Sequence, residues 1–237
     1  MFHHQLTLSA NAGVALHCGS VRIWSDVLHN QQTPGFSAVT PAIWKTLQTH
    51  PDFTDPNVIF YTHCHPDHYS RDLTIQARKR FPDAKLILPK KEFPDQILLT
   101  GARCHFRLLG LTMEFAHLTH EGVQYATISN YGCIIDDDGF HILIAGDCAV
   151  ANPGLAKFVG NLSIDLALLD FPWVTLRKGR QFIEQYIRPK HLAVYHLPFV
   201  ENNYWGYREA AAKGAALLQS IQDVRLMQDP FQREVFD

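Results

Sequence analysis

Residues 60–70 read FYTHCHPDHYS, and within them His63, His65, Asp67 and His68 crowd four metal-ligand side chains into six positions. The run just before, Val58 to Tyr61, is short, apolar and rich in strand formers, so it predicts a brief buried strand. Just after it, Ser70 stands where a helix cap should, Leu73, Ala77 and Phe81 recur at intervals of four, and Pro82 follows where the helix should stop. Lys85 to Leu88 then predicts a second strand, and the whole is a strand–loop–helix–strand unit. The cluster therefore falls at the C-terminal end of a strand, where α/β folds gather their sites. In an extended segment residues two apart share a side, so His63, His65 and Asp67 converge and His68 joins them as the chain turns into the helix. A polar loop with incidental histidines is the plain alternative. It leaves the density of donors unexplained, and burying such groups without a metal is costly.

Outward from this loop the pattern stays mixed. Leu6 to Leu8, Val14 to Leu16 and Val21 to Trp24 predict a meander of short strands separated by Asn-Ala-Gly and Cys-Gly-Ser turns. Pro41 to about Thr49 predicts a short helix with proline at its start. A strand-rich stretch runs from about His105 to Phe115. Tyr131 to Ile135 and His141 to Ala145 follow, joined by Asp136-Asp137-Asp138-Gly139, which reads as a hairpin turn in preference to a calcium loop. Leu166 to Leu169, a helix from Lys178 to Ile187, a strand from His191 to Tyr195 and a helix from Tyr207 to Ser220 complete the expectation. No repeat, low-complexity tract or linker divides residues 1–237, so one domain is expected, with stacked sheets covered by helices.

Composition narrows the function classes. A net charge of -2 offers no basic stripe for a phosphate backbone, which counts against nucleic acid as a partner. No apolar stretch reaches the roughly 18 residues of a membrane span, and the opening MFHHQLTLSA lacks the pattern of a signal peptide, so no membrane association and a cytoplasmic location are expected. The five cysteines (Cys18, Cys64, Cys104, Cys133, Cys148) form no C-x-x-C pair, which argues against a disulfide framework or a thiolate zinc site. The unusual count is histidine, with 14 in all.

Three further ligand-type residues end strand-like stretches: His120 in LTHEG, Asp147 in LIAGDC and His196 in LAVYHLP. Taken in order, T-H-C-H-P-D-H at 62–68, His120, the Gly146-Asp147 pair and His196 resemble the metallo-β-lactamase superfamily of metallohydrolases. The likeness extends to the opening NAGVALHCGSVRIWSD and so spans most of the chain. It implies a four-layer αββα sandwich, two mixed β-sheets flanked by helices. It also implies that His63, His65 and His120 hold one divalent ion, that Asp67, His68 and His196 hold a second, and that Asp147 bridges both. Zinc is the first expectation, with manganese or iron admitted by the same donors. The reaction implied is hydrolysis by a metal-bridging hydroxide of a small ester, lactone, amide or phosphoester, with Asp67 orienting that hydroxide or passing its proton on. A homo-oligomer is compatible with the resemblance.

Departures from subfamily patterns direct the comparison. Leu118-Thr119-His120-Glu121-Gly122 differs from the T-P-G-H-like turn of lactamases and glyoxalase-type thioesterases. His65 stands where flavo-diiron proteins carry glutamate, and only 48 residues separate Asp147 from His196, too few for the inserted domain of RNA-cleaving nucleases. The compact lactonase-like branch, which includes the ascorbate-phosphate lactonase type, resembles the chain best. A redox or sensing role and a phosphodiesterase or nuclease role stand as alternatives. His117 rivals His120, and His191 rivals His196. His3, His4, His17, His29, His50, His105 and His141 are expected to be solvated or locally hydrogen-bonded. Asp26 either orients a metal histidine or caps a turn. Asp170 faces the cleft with Trp173 or serves a turn, Tyr69, Tyr204 and Trp205 line a pocket or pack in the core, and Cys148 either packs or alters metal preference.

Overall fold

The computed structural model describes residues 4–237. His3 lies outside the described residues. The chain forms two compact units, each woven from more than one stretch.

The first unit comprises the described residues up to Leu98 together with Leu197–Trp205 and Gln228–Asp237. Its strands are β1 (His4–Ala10), β2 (Gly13–Cys18), β3 (Val21–Ser25), β4 (Val58–Phe60), β5 (Lys85–Leu88) and β6 (Ile97–Leu98), with the C-terminal Arg233–Phe236 strand laid antiparallel on β1. Across the sheet the order is that C-terminal strand, then β1-β2-β3-β4-β5-β6. The sheet is mixed: β1, β2 and β3 form an antiparallel meander, and β3, β4, β5 and β6 run parallel. Helices α1 (Pro41–Leu47) and α2 (Arg71–Arg80) belong to this unit. Each starts as its sequence dictates: the Thr40 hydroxyl accepts from the Ile43 amide and the Ser70 hydroxyl from the Leu73 amide. All three residues of β4 are buried, as a central parallel strand requires.

The second unit comprises Leu99–His196 and Gly206–Met227. Its strands are β7 (Arg103–Leu108), β8 (Leu111–Leu118), β9 (Asn130–Asp137), β10 (Phe140–Ile144), β11 (Leu166–Asp170), β12 (His191–Tyr195) and β13 (Asp223–Leu226). Their order in the sheet is β13-β12-β11-β10-β9-β8-β7, with β10 to β13 parallel and β7 to β10 antiparallel. The single strand-rich stretch expected near 105–115 is a hairpin, turned at Leu109 and Gly110, which take φ of 56° and 92°. Asp138 and Gly139 turn the next hairpin at φ of 50° and 90°, and the Asp136 carboxylate takes the Gly139 amide at 2.8 Å.

The helices of this unit are α3 (Pro153–Val159), α4 (Pro172–Thr175), α5 (Arg177–Phe182) and α6 (Tyr207–Ala215). The helix expected over 178–187 widens into a π turn at Ile183–Ile187 and stops at Arg188, at φ 46°. The last helix ends at Ala215, short of the expected Ser220, because Glu184 draws the Gln219 and Ser220 amides to its carboxylate at 2.8 and 3.2 Å. Among the described residues no helix is long and apolar enough to cross a membrane.

The candidate metal centre

In the first unit, β4 delivers buried Tyr61, Thr62 and His63 to its C-terminal end. The loop then makes one turn, with the His68 and Tyr69 amides donating to the His65 carbonyl at 3.0 and 2.9 Å. The Ser70 amide donates to Leu28 at 2.7 Å and fixes where α2 begins. His63 and His68 have no exposed surface, and their ring centroids stand 3.9 Å apart. The His65 ring lies 4.8 Å from that of His63, tilted by 81°. Asp67 and His68 likewise offer donor atoms within 4.8 Å of each other.

Asp26 organises this half. It follows β3 at φ 53° with no exposed surface. One carboxylate oxygen accepts the Thr62 amide at 2.8 Å; the other accepts the Thr62 hydroxyl at 2.7 Å and lies 3.1 Å from Nδ1 of His68. A carboxylate oxygen accepts, so Nδ1 of His68 carries the proton. The Thr62 proton is committed to Asp26, so its oxygen, 3.0 Å from Nδ1 of His63, accepts a proton from that ring as well. In its neutral form each ring therefore has its lone pair on Nε2, the form that binds metal. Of the two sequence readings of Asp26, orientation of metal-type histidines is the one this geometry describes. Nothing in the sequence pattern marks Thr62 as its intermediary.

In the second unit, His120 lies just past β8 and forms an isolated antiparallel bridge with Cys148. Its Nδ1 is 2.7 Å from the Glu121 carbonyl, which can only accept, so Nδ1 carries a proton and the neutral ring has its lone pair on Nε2. Asp147 follows Gly146, whose φ of 58° turns the chain after β10, and the Asp147 amide donates to Oδ1 of Asn130 at 3.2 Å. His196 directly follows β12, with φ 59° and 5% exposure. One Asp147 oxygen stands 3.7 Å from Nε2 of His120 and the other 3.7 Å from Nε2 of His196. The Asp147 carboxylate therefore faces two imidazole nitrogens, one per oxygen. The donor set thus fits divalent ions that take imidazole and carboxylate, zinc among them.

The rival histidines stand elsewhere. His117 is exposed on β8, its ring 5.2 Å from that of Tyr131. His191 pairs with Asp223 at 2.6 Å at the opposite end of β12 from His196. His29 is buried and its Nε2 is 3.0 Å from the Ala10 carbonyl; His17, His50 and His141 make similar local bonds to backbone. Tyr204 and Trp205 are 70% and 57% exposed, so they are not core. Trp173 is fully buried against Phe182 and does not face a cleft. Asp170 is buried at the end of β11. Cys148 is buried, and burial first, then the charge of Asp170, pushes its thiol well above the ordinary range, so it stays a neutral packing group.

Comparison with family models and with curated proteins gives no match. The likeness is in the fold. Igni18, a metallo hydrolase from the hyperthermophilic archaeon Ignicoccus hospitalis KIN4/I, is 20% identical, with a TM-score of 0.67 over 99% of both chains. The metallo-β-lactamase fold protein YhfI from Bacillus subtilis is 12% identical, with a TM-score of 0.64 over 99% of this chain and all of that one. CmlA, a diiron β-hydroxylase from Streptomyces venezuelae, is 15% identical, with a TM-score of 0.65 over 98% of this chain and 54% of that one. Two mixed β-sheets flanked by helices, with these neighbours, define the class of protein. The chain has the metallo-β-lactamase fold.

Proposed function

We propose that the chain is a metal-dependent hydrolase whose two half-sites act together. His63, His65 and His120 hold one divalent ion, Asp67, His68 and His196 hold a second, and Asp147 bridges them. The observation that carries this reading is Asp147, with its two oxygens 3.7 Å from Nε2 of His120 and of His196. The tautomers of His63, His68 and His120 support it, because each ring spends its Nδ1 proton on an oxygen and presents Nε2 as a ligand.

Two bound divalent ions, zinc first, supply an ionised nucleophilic water near neutral pH and Lewis acidity at the substrate's oxygen. The residues of the chain do the rest. Asp26 and Thr62 hold two rings in the ligand tautomer, and Asp67 is the carboxylate we assign to orient the nucleophile or take its proton. The substrate is a small ester, lactone or phosphoester, by the likeness of the motif to the lactonase-like branch. A small-molecule partner also accords with a net charge of -2, which offers nucleic acid little attraction. The protein named as a metallo hydrolase, Igni18, is similar in fold and supports the same class.

Elemental analysis of protein purified without added metal, joined to a panel of chromogenic esters, lactones and bis-phosphodiesters, tests the proposal. Wild type is expected to carry divalent metal and to hydrolyse one of these classes; Asp67→Ala is expected to hold the second ion more weakly and to lose turnover by about 10²-fold or more. Metal-loaded protein that hydrolyses nothing but consumes oxygen with a reductant would replace this reading with an oxidative one, as the name of CmlA suggests for that protein. Salt-sensitive binding to RNA or DNA would point to a nuclease.

A further inference from the structure

Glu121 touches two of the three segments that carry the second unit's candidate ligands, those of His120 and Asp147. Its amide donates to the Asp147 carbonyl at 2.8 Å, and its own carbonyl lies 2.7 Å from Nδ1 of His120. Its side chain reaches past Asp147 and Cys148, and Oε2 accepts the Val150 amide at 2.6 Å. The Ala149 amide donates to Thr119 at 2.8 Å and completes the seam. Three of these bonds are main chain to main chain or ring to main chain, and would form with any residue at position 121. The bond to Val150 is made by the carboxylate alone.

We propose that Glu121 is a positioning residue for the metal centre. Its carboxylate clamps the loop Asp147–Val150 onto the segment Thr119–Glu121 and so holds His120 Nε2 and Asp147 Oδ2 at their separation of 3.7 Å. The clamp needs an acceptor at this place and not a charge, since an amide oxygen can accept the same peptide N–H that the carboxylate does. Without it, the loop that carries Asp147 is tied to the His120 segment by backbone bonds and a long 3.4 Å contact from Asn152 to the Thr119 carbonyl, and the two ligands no longer share one fixed geometry. This inference rests on the metal-centre reading above.

The test compares Glu121→Gln, which keeps an acceptor of the same reach, with Glu121→Met, which keeps the length and offers no strong acceptor. Zn²⁺ affinity is measured by competition with a chromogenic chelator, and exchange of the Val150 amide is followed by NMR in metal-free protein. Glu121→Met is expected to bind Zn²⁺ about 10-fold or more weakly and to exchange the Val150 amide faster, while Glu121→Gln stays within about threefold of wild type in both. The midpoint of thermal unfolding of the metal-free variants is expected to differ little, which separates positioning of ligands from loss of fold. Wild-type affinity in Glu121→Met would overturn the clamp and leave the metal centre standing. Equal losses in both variants would overturn it too, by showing that charge and not the hydrogen bond matters. A wild type that binds no Zn²⁺ would overturn the metal-centre reading itself, and the clamp with it.

Discussion

Asp26→Asn is the substitution that most directly probes how the first unit prepares its histidines. An asparagine fits the same volume and its oxygen still accepts the Thr62 amide, which lies 2.8 Å from the carboxylate. The other carboxylate oxygen, however, becomes an NH₂ that donates and cannot accept. It faces the Thr62 hydroxyl at 2.7 Å and Nδ1 of His68 at 3.1 Å. To avoid a donor opposite a donor, His68 must move its proton to Nε2. The Thr62 hydroxyl, now accepting from the introduced amide, must turn its own proton towards Nδ1 of His63, 3.0 Å away, which drives that ring to the same tautomer. One changed atom would thus close two Nε2 lone pairs. Loss of a group that orients a ligand costs about 10–100-fold in metal affinity, so two affected ligands predict a loss of roughly 10²–10⁴-fold, about 3–5 kcal/mol. Lost bonds to the charged acceptor should also lower the stability of the metal-free protein by about 1–3 kcal/mol, within what a folded domain survives. Zn²⁺ competition gives the affinity, and ¹⁵N-resolved imidazole spectra give the tautomers. A variant that binds Zn²⁺ within threefold of wild type, with both Nδ1 atoms still protonated, would refute the relay.

Other expectations concern the fold. Burial works to raise the Asp52 carboxyl, but hydrogen bonds from Gln5, Arg233 and Thr7 and the charge of Arg233 together hold it below the usual carboxylate value. Its contribution to stability is therefore complete above about pH 4 and is lost as pH falls through the lowered value. Arg233→Ala, which removes a two-point contact at 2.9 and 2.7 Å, should cost about 1–3 kcal/mol in urea titrations at pH 7, and the deficit should shrink under acid; a deficit independent of pH would contradict it. Gly214 on α6 brings its backbone so close to α4 that an added Cβ would sit 2.3 Å from the Val174 carbonyl oxygen, so Gly214→Ala should destabilise by about 1–3 kcal/mol despite alanine's better helix propensity. A raised melting temperature would disprove that close approach. The Cys64 thiol, set between His63 and His65, is pushed up to about 12, chiefly by burial. Its alkylation by iodoacetamide should keep climbing about tenfold per pH unit beyond pH 9, and a plateau near pH 9 would show an ordinary thiol.

Much of this architecture follows from local pattern. β5 spans the expected Lys85–Leu88, β12 the expected His191–Tyr195, and Ser70 caps α2 where its spacing placed it. These elements are specified by neighbours a few residues away, through side-chain period and capping chemistry. Long-range pairing leaves no such trace. The Arg233–Phe236 strand joins β1, with Phe236 opposite His4, and its short run reads as a strand only once that edge is offered to it. The early end of α6 goes with a contact that spacing does not encode, since Glu184 in the π turn takes the amides of Gln219 and Ser220.

For the site the division is sharper. Residue type, position relative to strand ends and the family resemblance single out His63, His65, Asp67, His68, His120, Asp147 and His196 as candidates, because metal-ligand chemistry resides in side chains that can be read directly. Which nitrogen of each imidazole is available is another matter. That is decided by oxygens supplied from a distance or by the backbone: Asp26 lies 36 and 42 residues from Thr62 and His68, and the Glu121 carbonyl acts on His120 whatever its side chain. The sequence alone determined which atoms are able to bind a metal. Only the tertiary structure, by placing acceptors against Nδ1, decided which of them keep a lone pair to do so.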